Sequence, residues 1–307
     1  MTDQPGSQPL VSVIVPSFNH ARYVRACLES VVKDPYPAKE LLVIDDGSTD
    51  GSPDIIGDWV TQNASTSTAV TFRHRANRGQ TATLNELVGV ASGKYVAYLA
   101  SDDLLVPGGL EARVAYLEAS PDKGAVFGDC EVIDADGNLL MTSGLRDLQG
   151  VRKRRLQTSI SAEIVGNWGV PGPVLMYRPE AMRAIGGYDE RHLIEDWYVY
   201  LGFVARGWLG FIDVVVARYR LHGANAMLQP DQQVRINRNL LDAAGTRLRE
   251  LRATDRYRLV QQMASIRARI AKASQHRLAW AWWRGLAGLM KIPLVVSERL
   301  TFPSRDG

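Results

Sequence analysis

Glu40-Leu41-Leu42-Val43-Ile44-Asp45-Asp46-Gly47-Ser48-Thr49-Asp50-Gly51 decides the fold. Its aliphatic run is too short for a helix and ends in turn formers, which is the pattern of a strand buried on both faces of a parallel sheet. The strand runs directly into Asp, Gly, Ser and Thr, residues that make a turn and then cap a helix, so carboxylates stand at the strand's carboxyl end. Outward from this stretch the pattern repeats. Upstream, residues 10–16 read as a strand ended by Pro16, and 21–32 as a helix broken by Pro35 and Pro37. Downstream, a helix over 53–62, a strand over 69–73, a helix over 80–91 and a strand over 94–100 continue the alternation. Alternating strands and helices predict an open α/β sheet flanked by helices.

The strand at 94–100 delivers a second acidic turn, Ser101-Asp102-Asp103, before Pro107 opens a helix running to residue 119. In open α/β sheets ligands bind beyond the carboxyl ends of the strands. Two acidic turns there predict one shared site. From 125 to 140 short strands around Asp134-Ala135-Asp136-Gly137-Asn138 suit a hairpin, so the sheet is expected to become mixed. A helix ending near Asn167, the loop Gly169-Val170-Pro171-Gly172-Pro173, a strand over 174–178 and helices over 179–185 and 195–206 follow. A strand or strand pair over 211–221 precedes helical stretches at 225–251 and 257–289. This divides the chain into a polar start (1–9), a main domain (10–228) and a basic helical extension (229–307).

Composition sets outer limits. Lys and Arg number 36 against 33 Asp and Glu, a net charge of +3 that gives no reason to expect nucleic acid as a partner. Cys27 and Cys130 lie far apart among apolar neighbours and read as reduced, buried thiols. Residues 1–9 lack a basic start and an apolar run, and no stretch approaches the ~18 apolar residues of a spanning helix. A cytoplasmic protein is the expectation, with any membrane contact peripheral.

The candidate chemistry lies in the acids. Asp45 and Asp46 can accept hydrogen bonds from a base or ribose, while amides of the same turn serve phosphate; equally, these are residues that any turn after a strand would contain. Asp102 and Asp103 repel one another and call for a counter-charge. A hard divalent cation, Mg2+ or Mn2+, supplies it and would neutralise a departing diphosphate. Glu195-Asp196 opens a helix, where the macrodipole favours acids whether or not they react; a general base is the functional reading. His222 can close the metal site with a neutral imidazole or be merely structural. Arg75, Arg78 and Arg220 are candidates for phosphate or for a solvated surface.

Taken in order, Val13-Ile14-Val15-Pro16-Ser17-Phe18-Asn19, Val43 to Asp50, Asn77-Arg78-Gly79, Ser101-Asp102-Asp103 and Glu195-Asp196-Trp197 resemble family 2 glycosyltransferases over roughly residues 9–228. The ordered set is more specific than its parts. The resemblance implies the GT-A fold, a nucleotide-sugar donor (a UDP-sugar being commonest in the family), a divalent metal and inversion at the anomeric carbon. By position it implies that Pro16, Phe18, Asp45 and Asp46 hold the nucleoside, that Asp102 and Asp103 serve metal and ribose, and that Asp196 is the catalytic base beside Glu195. One departure is Ala100, where many relatives carry an acid. The family's expected acceptor is a glycan or lipid-linked hydroxyl in surface polysaccharide synthesis. Two rivals remain: a degenerate, non-catalytic scaffold supported by Ala100, and a nucleotidyltransferase, disfavoured because no Gly-rich, Lys-containing loop follows the first strand.

The extension carries many arginines and Trp280-Ala281-Trp282-Trp283-Arg284. A basic helix bearing Trp and Leu suits an anionic membrane surface, here the inner face; packing on the main domain or on a second copy in a homodimer is the alternative.

Overall fold

The computed structural model describes residues 8–64, 67–167, 169–192, 195–223 and 232–301. Four strands, β1 (Val11–Ser17), β2 (Lys39–Asp45), β3 (Ala69–His74) and β4 (Tyr95–Tyr98), form a parallel half in the order β3-β2-β1-β4. Their crossovers are α1 (Val24–Lys33), α2 (Ser52–Gln62) and α3 (Gln80–Val90). β1 shows why the sequence folds this way. Val11, Val13 and Val15 enter one core with Leu28, Val31 and Trp59, whereas Ile14 enters the other with Leu84 and Leu87. Side chains alternate across a strand, so a continuous apolar run buries both faces.

The second half is mixed. After β5 (Leu104–Leu105) and α4 (Gly109–Ala119) come β6 (Ala125–Ile133) and β7 (Leu139–Met141), the expected hairpin. Next are α5 (Lys153–Thr158), α6 (Ile160–Gly166), β8 (Leu175–Tyr177), α7 (Pro179–Ala184), α8 (Glu195–Arg206) and β9 (Leu209–Arg220). β8 inserts antiparallel between β4 and β6, and β9 pairs in parallel with β6 and antiparallel with β5. Nine strands thus form one sheet among the described residues.

Local expectations shift in three places. The single helix expected to reach Asn167 is two, because Ser159 leaves helical backbone at φ −158° and Thr158 hydrogen-bonds back to Arg154 O at 3.2 Å. The stretch read as helical over 257–289 is α10 (Ala253–Ala273) and α11 (Arg277–Thr301), separated where Gln275 turns left-handed at φ 60°. The helix expected from 225 is α9 (Gln233–Arg247), and the expected domain boundary at 228 lies outside the described residues.

The helices of the extension do not stand apart. Ile236, Leu240, Ala243 and Ala244 of α9, with Leu259, Met263 and Ile266 of α10, are buried in the same core as Trp197 and Phe203 of α8. α11 packs on α10. Among the described residues no helix is long and apolar enough to cross a membrane. Both cysteines are buried and unpaired, and burial raises both thiols above their ordinary range.

Candidate functional site

The acidic turns lie side by side because their strands do. β1 is flanked by β2 and β4, so the residues following all three meet at one edge. On the β2 side, Asp45 is fully buried and satisfied by protein: Ser17 Oγ and Ser48 Oγ donate to Oδ2 at 3.1 and 2.6 Å, and Ser48 N donates to Oδ1 at 2.9 Å. His74 Nδ1 lies 3.0 Å from Oδ1. Asp46 accepts the amides of Arg78 and Gly79, each at 2.8 Å, and the Arg75 guanidinium. Gly47 is required where the two loops meet: its φ is +78°, and a Cβ would come within 2.7 Å of Asn77 N. The Asp46 carboxylate therefore folds the rim formed by residues 75–79, while that of Asp45 ties its own turn to β1 and to His74.

The arginines divide accordingly. Arg75 is held by Asp46, Glu86 and Thr83, and Arg220 by the carbonyls of Asp102, Asp134 and Ala135. The Arg78 side chain is exposed, 3.7 Å from Glu86. Pro16 is buried within β1, whereas Phe18, just past the strand, is 46% exposed and offers an aromatic face at the site edge. Ala100, at the end of β4, accepts the Asp103 amide at 3.0 Å and so helps close the turn.

On the β4 side Asp102 meets two imidazoles. His222 Nε2 is 2.9 Å from Asp102 Oδ2, and His20 Nε2 is 3.7 Å from the same oxygen. The ligand atoms of His20, Asp102 and His222 all lie within 4.8 Å of one another. Burial raises the Asp102 carboxyl, but the His222 hydrogen bond and the His20 charge outweigh it and leave it below its ordinary range. A carboxylate oxygen and two ring nitrogens at this spacing fit a divalent cation. Asp103, expected among the ligands, is outside this group among the described residues: its Oδ1 accepts the Arg220 amide at 2.8 Å. Burial, then the adjacent Asp102 charge, push the Asp103 carboxyl well up.

Glu195 and Asp196 begin α8, which is fixed from behind by Trp197, whose Nε1 donates to Ile164 O at 3.1 Å. Glu195 is buried and accepts Gln80 Nε2 at 2.8 Å; the same amide donates to Tyr98 OH at 3.0 Å. Burial and then the Asp196 charge raise the Glu195 carboxyl well above its usual range, and burial raises Asp196 to about 7. Tyr98 joins the halves of the site. Burial raises its phenol, and so do the charges of Glu195, Asp196, Asp103 and Asp102.

Sequence reading omitted His20, Gln80 and Tyr98. A signal for His20 existed: β1 and β4 pair in parallel with Ile14 opposite Tyr98, so the residues after β1 meet those after β4, and His20 Nδ1 lies 2.8 Å from Ser101 Oγ. Using it required knowing that β4 is the neighbour of β1.

Comparison with known proteins agrees with this architecture. A mannosyltransferase of Pyrobaculum calidifontis in complex with GDP-Man and Mn2+ superposes with a TM-score of 0.67 at 20% identity, covering 97% of this chain and 82% of that one. Residues 1–349 of TarS from S. aureus in complex with UDP-GlcNAc give 0.63 at 18% identity, over 86% and 73%. These likenesses establish the fold, which is GT-A. An uncharacterized glycosyltransferase of Nostoc sp. is 28% identical over 222 residues, 70% of this chain and 66% of that protein's length. The family model described as glycosyl transferase family 2 matches residues 12–174, more than half of the chain, and the chain belongs to that family.

Proposed function

We propose that the protein is an inverting, metal-dependent glycosyltransferase that moves a sugar from a nucleotide diphosphate donor, a UDP-sugar, to a hydroxyl of a glycan or lipid-linked acceptor in surface polysaccharide synthesis. The observation that carries this reading is the grouping of His20, Asp102 and His222 where the chain leaves β1, β4 and β9. The nucleotide sugars and Mn2+ bound by the two structural neighbours support the donor class and the cation.

Asp102 and His222 would hold the cation, which supplies positive charge against the departing diphosphate. Asp196, raised to about 7, takes the proton of the acceptor hydroxyl. The acceptor oxygen forms its bond to the anomeric carbon as the bond to the diphosphate oxygen breaks. The diphosphate leaves with the electron pair, and the anomeric configuration inverts in this single displacement. Glu195, fixed by Gln80, holds the first turn of α8 in place. The turn held by Asp45 and the rim organised by Asp46, with Phe18 and Arg78 at the edge, receive the nucleoside and phosphates.

Contact with an anionic membrane surface through α11 belongs to the same reading. The helix exposes Leu278 and Trp282 and, on a separate stripe, Arg277, Arg284 and Lys291. Such a helix would keep a lipid-linked acceptor within reach.

Calorimetric titration of UDP, GDP and dTDP, with Mn2+ and with EDTA, tests the proposal on wild type and Asp102→Asn. The expected result is metal-dependent binding of one nucleotide, lost in the variant. A folded wild-type protein that binds none of the three would overturn it and favour the degenerate scaffold.

A further inference from the structure

His20 has a geometry that a merely structural histidine does not need. Its ring arrives from the loop after β1, Asp102 from the turn after β4 and His222 from beyond β9, so three separate elements converge on one point. At 3.7 Å, His20 Nε2 is beyond hydrogen-bond range of Asp102 Oδ2. The nitrogen is aimed at the carboxylate without bonding it, a gap that a cation between them would use.

The ring's orientation is fixed from behind. Its Nδ1 lies 2.8 Å from Ser101 Oγ, and its backbone amide donates to Ser52 Oγ at 3.0 Å. Tyr23 and His222 pack edge-on against it at centroid distances of 6.3 and 5.8 Å. A histidine that donates Nδ1–H to an oxygen behind the ring carries its free lone pair on Nε2, the tautomer a metal requires. Ser101 is buried and His20 half-buried, so the imidazole edge faces the site while its back is held.

We propose that His20 is a third protein donor to the cation, and that the resulting two-nitrogen, one-oxygen set makes the site selective for Mn2+ over Mg2+. The proposal rests on the metal-dependent reading above and adds the residue and the preference. Mg2+ favours an all-oxygen shell and sheds its waters reluctantly. Imidazole nitrogen is a better partner for transition metals, and each nitrogen that replaces an oxygen widens the margin.

The test uses the full-length protein with Mn2+ and Mg2+ as probes, each with and without UDP. Calorimetry gives both affinities, and pulsed electron paramagnetic resonance of bound Mn2+ counts coordinated imidazoles by nitrogen-14 modulation. Wild type is expected to show two nitrogens and His20→Gln one. His20→Gln should weaken Mn2+ about 10-fold or more while changing Mg2+ less than about 3-fold. Ser101→Ala, which keeps the ligand but releases its orientation, should weaken Mn2+ by a smaller factor with both nitrogens still present. If His20→Gln leaves the modulation and the Mn2+ to Mg2+ ratio unchanged while Asp102→Asn abolishes binding, His20 is no ligand and the metal-dependent reading survives. Failure of the wild type to bind Mn2+ under either condition would overturn both.

Discussion

The backbone amide of Arg220 donates to Asp103 Oδ1 at 2.8 Å, tying the last residue of β9 to the turn that follows β4. The two strands are not neighbours in the sheet, since β8 and β6 lie between them. Arg220 Nε reinforces the tie by donating to Asp102 O at 2.8 Å. His222, just beyond, is thereby set opposite Asp102. The second acid of the turn positions the ligands that the first acid shares.

Asp103→Ala should therefore act on stability as well as on metal binding. It leaves a buried amide without its acceptor, at a cost of about 1–3 kcal/mol in urea denaturation, and loosens His222. Asp103→Asn keeps a carbonyl for the amide and is expected to hold Mn2+ affinity within about 3-fold of wild type. A loss in Asp103→Asn as deep as that in Asp102→Asn would show that Asp103 ligates the cation directly.

Asp196 predicts a pH profile. A base raised to about 7 is half-protonated there, so kcat/KM should fall on the acid side with an inflection near that value. Asp196→Asn should abolish the limb together with at least about 100-fold of the rate. Stability moves the other way. A carboxyl raised on folding contributes stability below the ordinary carboxylate range and loses it as pH rises through about 7. Asp196→Asn should accordingly gain up to about 4 kcal/mol over wild type at pH 8 and little at pH 4. Equal stability of the two proteins at pH 8 would show that Asp196 is not strained by burial.

The acidic turns were legible in the sequence because each follows an apolar strand directly, and the strand–helix alternation made their convergence at one sheet edge an expectation. What their side chains do was not legible. Asp46 takes its partners from 75–79, and Asp103 takes its partner from position 220, contacts set by sheet order rather than by local spacing. β5 has two residues, too few to show any period, and exists because β9 offers it an edge. His20 was missed for the same reason as Gln80 and Tyr98. Each is a single polar residue whose role depends on which strand is its neighbour.

The Asp46 cluster gives a prediction on the nucleotide side. Asp46→Ala removes the acceptor of two amides and the counter-charge of Arg75, with the Asp46 side chain itself buried. The loss should cost about 2–4 kcal/mol and let the rim at 75–79 move. Arg75→Ala strands the Asp46 carboxylate but leaves both amides as donors, and should cost less. In both variants the nucleotide should bind more weakly while Mn2+ binding alone is unchanged. Parallel loss of Mn2+ affinity would mean that the two acidic turns are one cooperative unit.

α11 makes the last prediction. Its inner side is anchored on α10: Ala287 is buried, Tyr257 OH donates to Met290 O at 3.1 Å, and the Arg267 guanidinium lies 5.0 Å from the Trp283 ring centroid. Its outer side exposes Leu278 at 89%, Trp282 at 69% and Leu289 at 66%, on one face by helical spacing. Arg277, Arg284 and Lys291, all exposed, recur at seven-residue spacing on a separate stripe of the same helix. Exposed Trp and Leu together with exposed cations on one helix suit an anionic bilayer surface, where Trp sits at headgroup depth and cations meet phosphate. Wild type should co-sediment with vesicles containing phosphatidylglycerol, more weakly as salt rises and weakly with neutral vesicles. Trp282→Glu should lose the apolar contribution at any salt. Replacing Arg277, Arg284 and Lys291 by Ala should abolish the preference for anionic lipid. Neither change should alter folding stability by more than about 0.5 kcal/mol, because these side chains are at the surface. If wild type binds neither kind of vesicle but dimerises with increasing concentration, and Trp282→Glu restores the monomer, the face belongs to a second copy of the chain.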